Sequence, residues 1–114
     1  MNYIKLFLLT HLKYWWIYFA VIFTSLFGLL VALLFVGRVL YAWSIYPEVN
    51  LVASSLTTSM IGAAPLLMVN YKVAQSSKKE NIVALTMLNH FITMVAFYAI
   101  AHFSLYWLII DFRE

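Results

Sequence analysis

Cysteine is missing from these 114 residues. Disulfides, thiolate metal sites and a cysteine nucleophile are therefore excluded. Charge is scarce as well: 10% of the residues are charged, against roughly 25% in soluble domains. No Asp, Glu, Lys or Arg lies well inside the longest apolar stretches. A self-contained ion pump or drug antiporter needs such a residue to bind or carry charge. Neither a nucleophile–base pair nor a glycine-rich phosphate loop appears, so no enzymatic activity is expected. No hydrophilic stretch is long enough for a separate soluble domain, which confines the function to a membrane or its surface.

What is present is apolar: 66% hydrophobic and 18% aromatic residues. The length fits one compact unit, residues 1–114. The pattern predicts an all-α fold, an integral membrane three-helix bundle with an N-terminal interfacial segment. The spans fall at about 14–36, 51–71 and 82–110, each meeting the ~20 apolar residues that cross a bilayer.

The central segment, Leu51 to Tyr71, organises the rest. It has no charge, yet it carries Ser54, Ser55, Thr57, Thr58, Ser59, Gly62 and Ala63. Ser55, Ser59 and Ala63 repeat every four residues, and Ser54, Thr58 and Gly62 do the same one residue earlier. The two rows form one face of small and hydroxyl-bearing side chains, which lets a neighbouring helix approach closely. Thr24, Gly28 and Ala32 make a matching row on the first span, so the two rows are expected to pack together. Pro65 removes a backbone donor and predicts a kink. Asn50 or Ser54 is the expected cap of this helix.

Met1 to Lys13 resembles the start of a signal peptide. The apolar run that follows, Trp15 to Val36, is longer than the ~7–15 residues of a signal core. An interfacial or helix-extending segment at the inner surface, with its lysines near lipid headgroups, is expected instead. Gly37 and Arg38 end the first hydrophobic core. The connector Val39 to Asn50 places Tyr41, Trp43 and Tyr46 for a headgroup layer. Lys72 to Asn81 is a basic loop whose Ser76 and Ser77 are candidate caps for the third span. That span is longer than a bilayer requires and is expected to tilt.

The formal net charge is +3, which in so apolar a chain speaks for orientation and lipid contact rather than nucleic acid. Lys5, Lys13, Lys72, Lys78 and Lys79 fall on one side of a three-span arrangement, and Arg38 and Arg113 on the other. The positive-inside rule then predicts a cytoplasmic N-terminus and a C-terminus outside; the expected location is a bacterial inner membrane.

The polar residues within the third span are Asn89, His90, Thr93 and His102. His90 and His102 lie twelve residues apart, about 18 Å along a helix, and cannot share one metal. A bis-histidine haem would need a histidine from another helix. The remaining one, His11, is expected near the inner surface, so haem would require a second subunit. No cofactor, metal or catalytic residue is assigned. Asn89, His90 and Thr93 are expected to bond to the central helix. Tyr98, His102 and Tyr106 form a separate arc, taken as the partner-binding surface.

In size, span number and orientation the chain is similar to the immunity proteins that protect bacteria from pore-forming colicins. The likeness is one of architecture and carries no residues across. It implies binding to a toxin's pore domain within the bilayer. The first expectation is different: a small accessory subunit that docks by helix packing onto other integral membrane subunits. Its partners are then membrane lipid and membrane proteins, with no soluble substrate. A small channel or holin lined by the hydroxyl face of the central helix is a third expectation.

Overall fold

The computed structural model describes residues 2–42, 46–77 and 81–109. Trp43, Lys78, Lys79, Arg113 and the end of the third span at residue 110 lie outside the described residues, as does the side chain of Tyr41. Among the described residues the chain is all-helical, without strands. Two continuous helical stretches, Ile17–Val39 and Ile82–Trp107, are long and apolar enough to cross a membrane, with mean hydropathy 2.7 and 1.7.

Helix α1 (Tyr3–Lys13) starts at Asn2, whose side-chain oxygen accepts the Ile4 N–H at 2.9 Å. It ends in a tight turn at residues 14–16. There the N–H groups of Trp15 and Ile17 reach back only three residues, to Leu12 and Tyr14. The turn separates α1 from α2 (Ile17–Val31), so α1 does not extend α2; it packs on α5.

The first hydrophobic helix does not stop at Gly37 and Arg38, where the sequence suggests an end. One π-helical turn, Ala32–Val36, carries it on, and the Gly37 N–H bonds to the Ala32 carbonyl. Gly37 keeps ordinary helical dihedrals, so α3 (Gly37–Ala42) continues without a break. A charged side chain ends an apolar run, but it does not interrupt the backbone ladder.

Helix α4 (Pro47–Ala63) opens with Pro47 in its first turn and Glu48 beside it. Proline suits that position because the first N–H groups have no helical partner. Neither Asn50 nor Ser54 caps the helix. Both lie inside it, where the Ser54 hydroxyl donates to Asn50 Oδ1 at 2.9 Å.

At Pro65 the missing N–H breaks the ladder, and α5 (Leu66–Ser76) leaves α4 at a bend of 63°. The neighbouring bonds tighten to three-residue spacing, Ala64 N–H to Ile61 O and Leu67 N–H to Ala64 O. Taken as one bent element, α4 and α5 together are also long and apolar enough to span.

Ser77 closes α5 by donating to the Ala74 carbonyl at 2.7 Å. The start of α6 (Ile82–Ile109) is set by Asn81, whose Oδ1 accepts the Ala84 N–H at 3.0 Å. Asn81 thus takes the capping role that the sequence suggested for Ser76 or Ser77.

Helices α2 and α6 both lie along α4, and α6 continues along α5. Two apolar clusters pin this arrangement. Ile17, Val21, Leu66 and Val69 meet at one end, with Phe97 against them. Leu51 and Leu105 meet at the other, beside Leu29. Large apolar side chains such as Phe23, Phe27, Phe91 and Phe103 point outward, an exterior suited to hydrocarbon rather than water.

Candidate functional site

The most built site in the chain is a polar cluster around Asn70, where α1, α2, α5 and α6 converge below the Pro65 bend. Asn70 and Asn89 are fully buried, and Thr10, His11 and Thr93 are nearly so. Buried polar groups must find partners or carry a desolvation cost, and these do find them.

Asn70 Oδ1 lies 2.9 Å from His11 Nε2. A carbonyl oxygen can only accept, so His11 carries its proton on Nε2. The other ring nitrogen, Nδ1, then accepts from the Tyr18 hydroxyl at 2.8 Å. Asn70 Nδ2 donates to His90 Nδ1 at 3.1 Å and to Thr93 Oγ1 at 3.2 Å. Asn89 Nδ2 donates to the Asn70 backbone carbonyl at 3.3 Å. The Tyr3 hydroxyl donates to Asn89 Oδ1 at 2.6 Å. Phe7 stacks on His11 with 4.3 Å between ring centroids.

Every element reaches the cluster for a local reason. His11 and Tyr3 are held by α1 folding back at the turn of residues 14–16. His90 and Thr93 follow Asn89 on one face of α6, as expected for residues one and four positions apart. Thr93 also donates to the Asn89 carbonyl at 3.0 Å. Burial pushes the His11 imidazole below its ordinary value of 6.5, and the Asn70 hydrogen bond partly opposes that shift.

Asn89, His90 and Thr93 thus bond to the helix that follows Pro65, all through Asn70. The sequence reading missed Asn70 itself, because an Asn beside Tyr71 and Lys72 reads as the end of a span. It also set His11 apart from His90, and the structure joins them through one amide. A fold-back of α1 leaves no signal in hydropathy.

The helix-packing row of α2 meets α4 closely. A Cβ added at Gly28 would lie 3.1 Å from both Ile61 Cβ and the Thr58 carbonyl oxygen. The Thr24 hydroxyl donates to the Gly62 carbonyl at 3.0 Å, and a Cβ on Gly62 would meet Ser25. Contact therefore runs from Thr24, Ser25 and Gly28 to Thr58, Ile61 and Gly62. Ala32, Ser55, Ser59 and Ala63 are buried too. The Ser55 hydroxyl has no hydrogen-bond partner among the described residues.

Between the two apolar clusters the structure opens. A cavity of about 410 Å³ lies between α2 and α6, floored by Thr58 and Ser59 and flanked by Ser25 and Ser104. The Tyr98–His102–Tyr106 arc lies on α6. Tyr98 borders a hollow toward α4 with Leu56, Met60 and Met94. Its ring is 5.6 Å from that of His102, and Tyr106 meets Trp107 edge-on. Among the described residues no group of three or more His, Asp or Glu side chains could hold a metal ion.

No protein-family model matches the chain, and no match is found among curated proteins or solved structures.

Proposed function

We propose that the chain is a non-catalytic, multi-pass protein of a bacterial inner membrane that acts as an accessory subunit of a larger membrane assembly. In this reading α2, the bent α4–α5 element and α6 each cross the bilayer once. Helix α1 lies at the cytoplasmic surface, and the C-terminus is outside.

One contrast supports the reading. The polar groups around Asn70 are partnered within the chain, whereas Tyr98 and His102 are half-buried on α6 without a hydrogen bond from another side chain among the described residues. A polar group that faces hydrocarbon costs free energy, and a second membrane protein relieves that cost. The hydroxyl row of α4 bears on the channel alternative. Ser54, Ser55 and Ser59 are buried among the helices of this chain, which favours a packing role for this row over a pore lining.

The test replaces Tyr98 with Phe and His102 with Leu, which keeps apolar bulk and removes the polar atoms. The expected result is normal expression with reduced recovery of the co-purifying membrane partner in mild detergent. Full recovery in this double variant, with loss in His90→Leu, would mean that the faces of α6 are assigned backwards. A chain that protects cells from a pore-forming toxin on its own, with no resident partner, would favour the immunity-type reading.

A further inference from the structure

Asn70 holds two imidazoles through the two ends of one amide. One end can only accept and the other can only donate. The imidazole nitrogen facing Oδ1 must therefore carry a proton, and the one facing Nδ2 must not. As built, His11 Nε2 is the protonated nitrogen and His90 Nδ1 the bare one.

A first extra proton fits this rule. It can enter His11 at Nδ1, because the Tyr18 hydroxyl can turn and accept instead of donating. It can instead enter His90 if the amide turns over. Thr93 Oγ1 allows that turn, since it lies 3.2 Å from Asn70 Nδ2 and 3.4 Å from Oδ1. A second proton does not fit. Both imidazoles would then present N–H groups to one amide, which has a single acceptor, and one hydrogen bond must break next to two positive charges.

We infer that the His11–Asn70–His90 chain is a proton-operated latch: it tolerates one proton and releases α1 from the bundle on the second. Helix α1 is the element that leaves, because it is short, at 11 residues, and joins α2 through the turn at residues 14–16. Tyr3 also ties it to the bundle through Asn89.

The titratable side chains that face the cluster are His11 and Tyr3 from α1, Tyr18 from α2 and His90 from α6. Helix α5 faces it with Asn70. Lys72, two residues further on, is turned about 200° around the helix. Lys13, near the turn, lies over the Tyr14 ring at 5.6 Å. Among the described residues no carboxylate faces the cluster to offset the second charge. The sign agrees with the shift at His11. Its folded-state value is below the ordinary 6.5, so the unfolded chain binds more protons in the window beneath 6.5. Acid therefore weakens the docked form, and raising the pH restores it.

The chain has no native cysteine, so Leu8→Cys and Val83→Cys, both at exposed positions, can carry a pair of nitroxide labels on α1 and α6. In detergent at about pH 8, a single narrow distance distribution is expected. At about pH 4.5, well below the ordinary imidazole value, it should become broad and longer. Asn70→Asp supplies acceptors at both ends and should keep the narrow distance in acid. His90→Leu removes the second proton site and should do the same. A wild-type distance that stays narrow across this range overturns the latch. So does a release in acid that both variants share.

Discussion

Replacing Asn70 with leucine is expected to cost about 2–4 kcal/mol of stability. Leucine fills similar space, so the loss is one of hydrogen bonds rather than packing. Three side chains each lose one partner: His11, His90 and Thr93. Hydrogen bonds between membrane helices are worth about 0.6 kcal/mol on average and up to about 1.7. Three average bonds give roughly 2 kcal/mol. The upper figure applies because His11 is only 8% exposed and cannot readily turn to water, and a stranded buried donor costs about 1–3 kcal/mol. Reversible unfolding in mixed micelles measures this, with the denaturant midpoint as the readout. Because the residues act as one network, Asn70→Leu combined with His11→Leu should cost less than the sum of the two. A loss below about 0.5 kcal/mol for Asn70→Leu would show that the cluster does not hold α1 and α6 to α5.

Gly28→Leu is the second large effect, with an expected loss of about 1–3 kcal/mol from overpacking. The added Cβ alone would sit 3.1 Å from the Thr58 carbonyl oxygen. That atom belongs to the backbone of α4 and cannot turn aside, so α2 and α4 must separate. Separation also strains the bond from Thr24 to the Gly62 carbonyl. Gly37→Ala is the control. Its nearest contact is 3.5 Å, to the Ala32 carbonyl, an ordinary distance. Alanine is also favoured over glycine in a helix by about 1 kcal/mol. Gly37→Ala should therefore be neutral or mildly stabilising in the same unfolding assay. Equal losses at Gly28 and Gly37 would remove the argument that close approach is what glycine provides at position 28.

The two apolar helices are legible in the sequence because hydropathy alone defines them, and the bend follows from one residue, Pro65. Contacts within one helix face are also legible. Asn89, His90 and Thr93 share an arc of α6 whatever lies opposite. What lies opposite depends on tertiary placement. His11 reads as one more basic residue of a leader-like segment until the turn at residues 14–16 carries it back onto α5. Asn70 reads as a span end because its neighbours Tyr71 and Lys72 suit an interface. The caps show the same limit on a smaller scale. Asn50, Ser54, Ser76 and Ser77 all carry side chains suited to capping, yet backbone geometry gives the cap of α6 to Asn81 while Asn50 and Ser54 bond to each other.

In the proposed reading the bent α4–α5 element crosses the membrane once rather than entering and leaving on the same side. If it crosses, the two ends of the chain lie on opposite sides, with the lysine-rich loop inside. Alkaline phosphatase folds only outside the cytoplasm, so fusions to it report the side directly. A fusion after Glu114 is expected to be active and a fusion after Ser77 inactive. Activity at both sites, or the reverse pattern, would contradict the three-span arrangement with a cytoplasmic N-terminus in which α4–α5 crosses once.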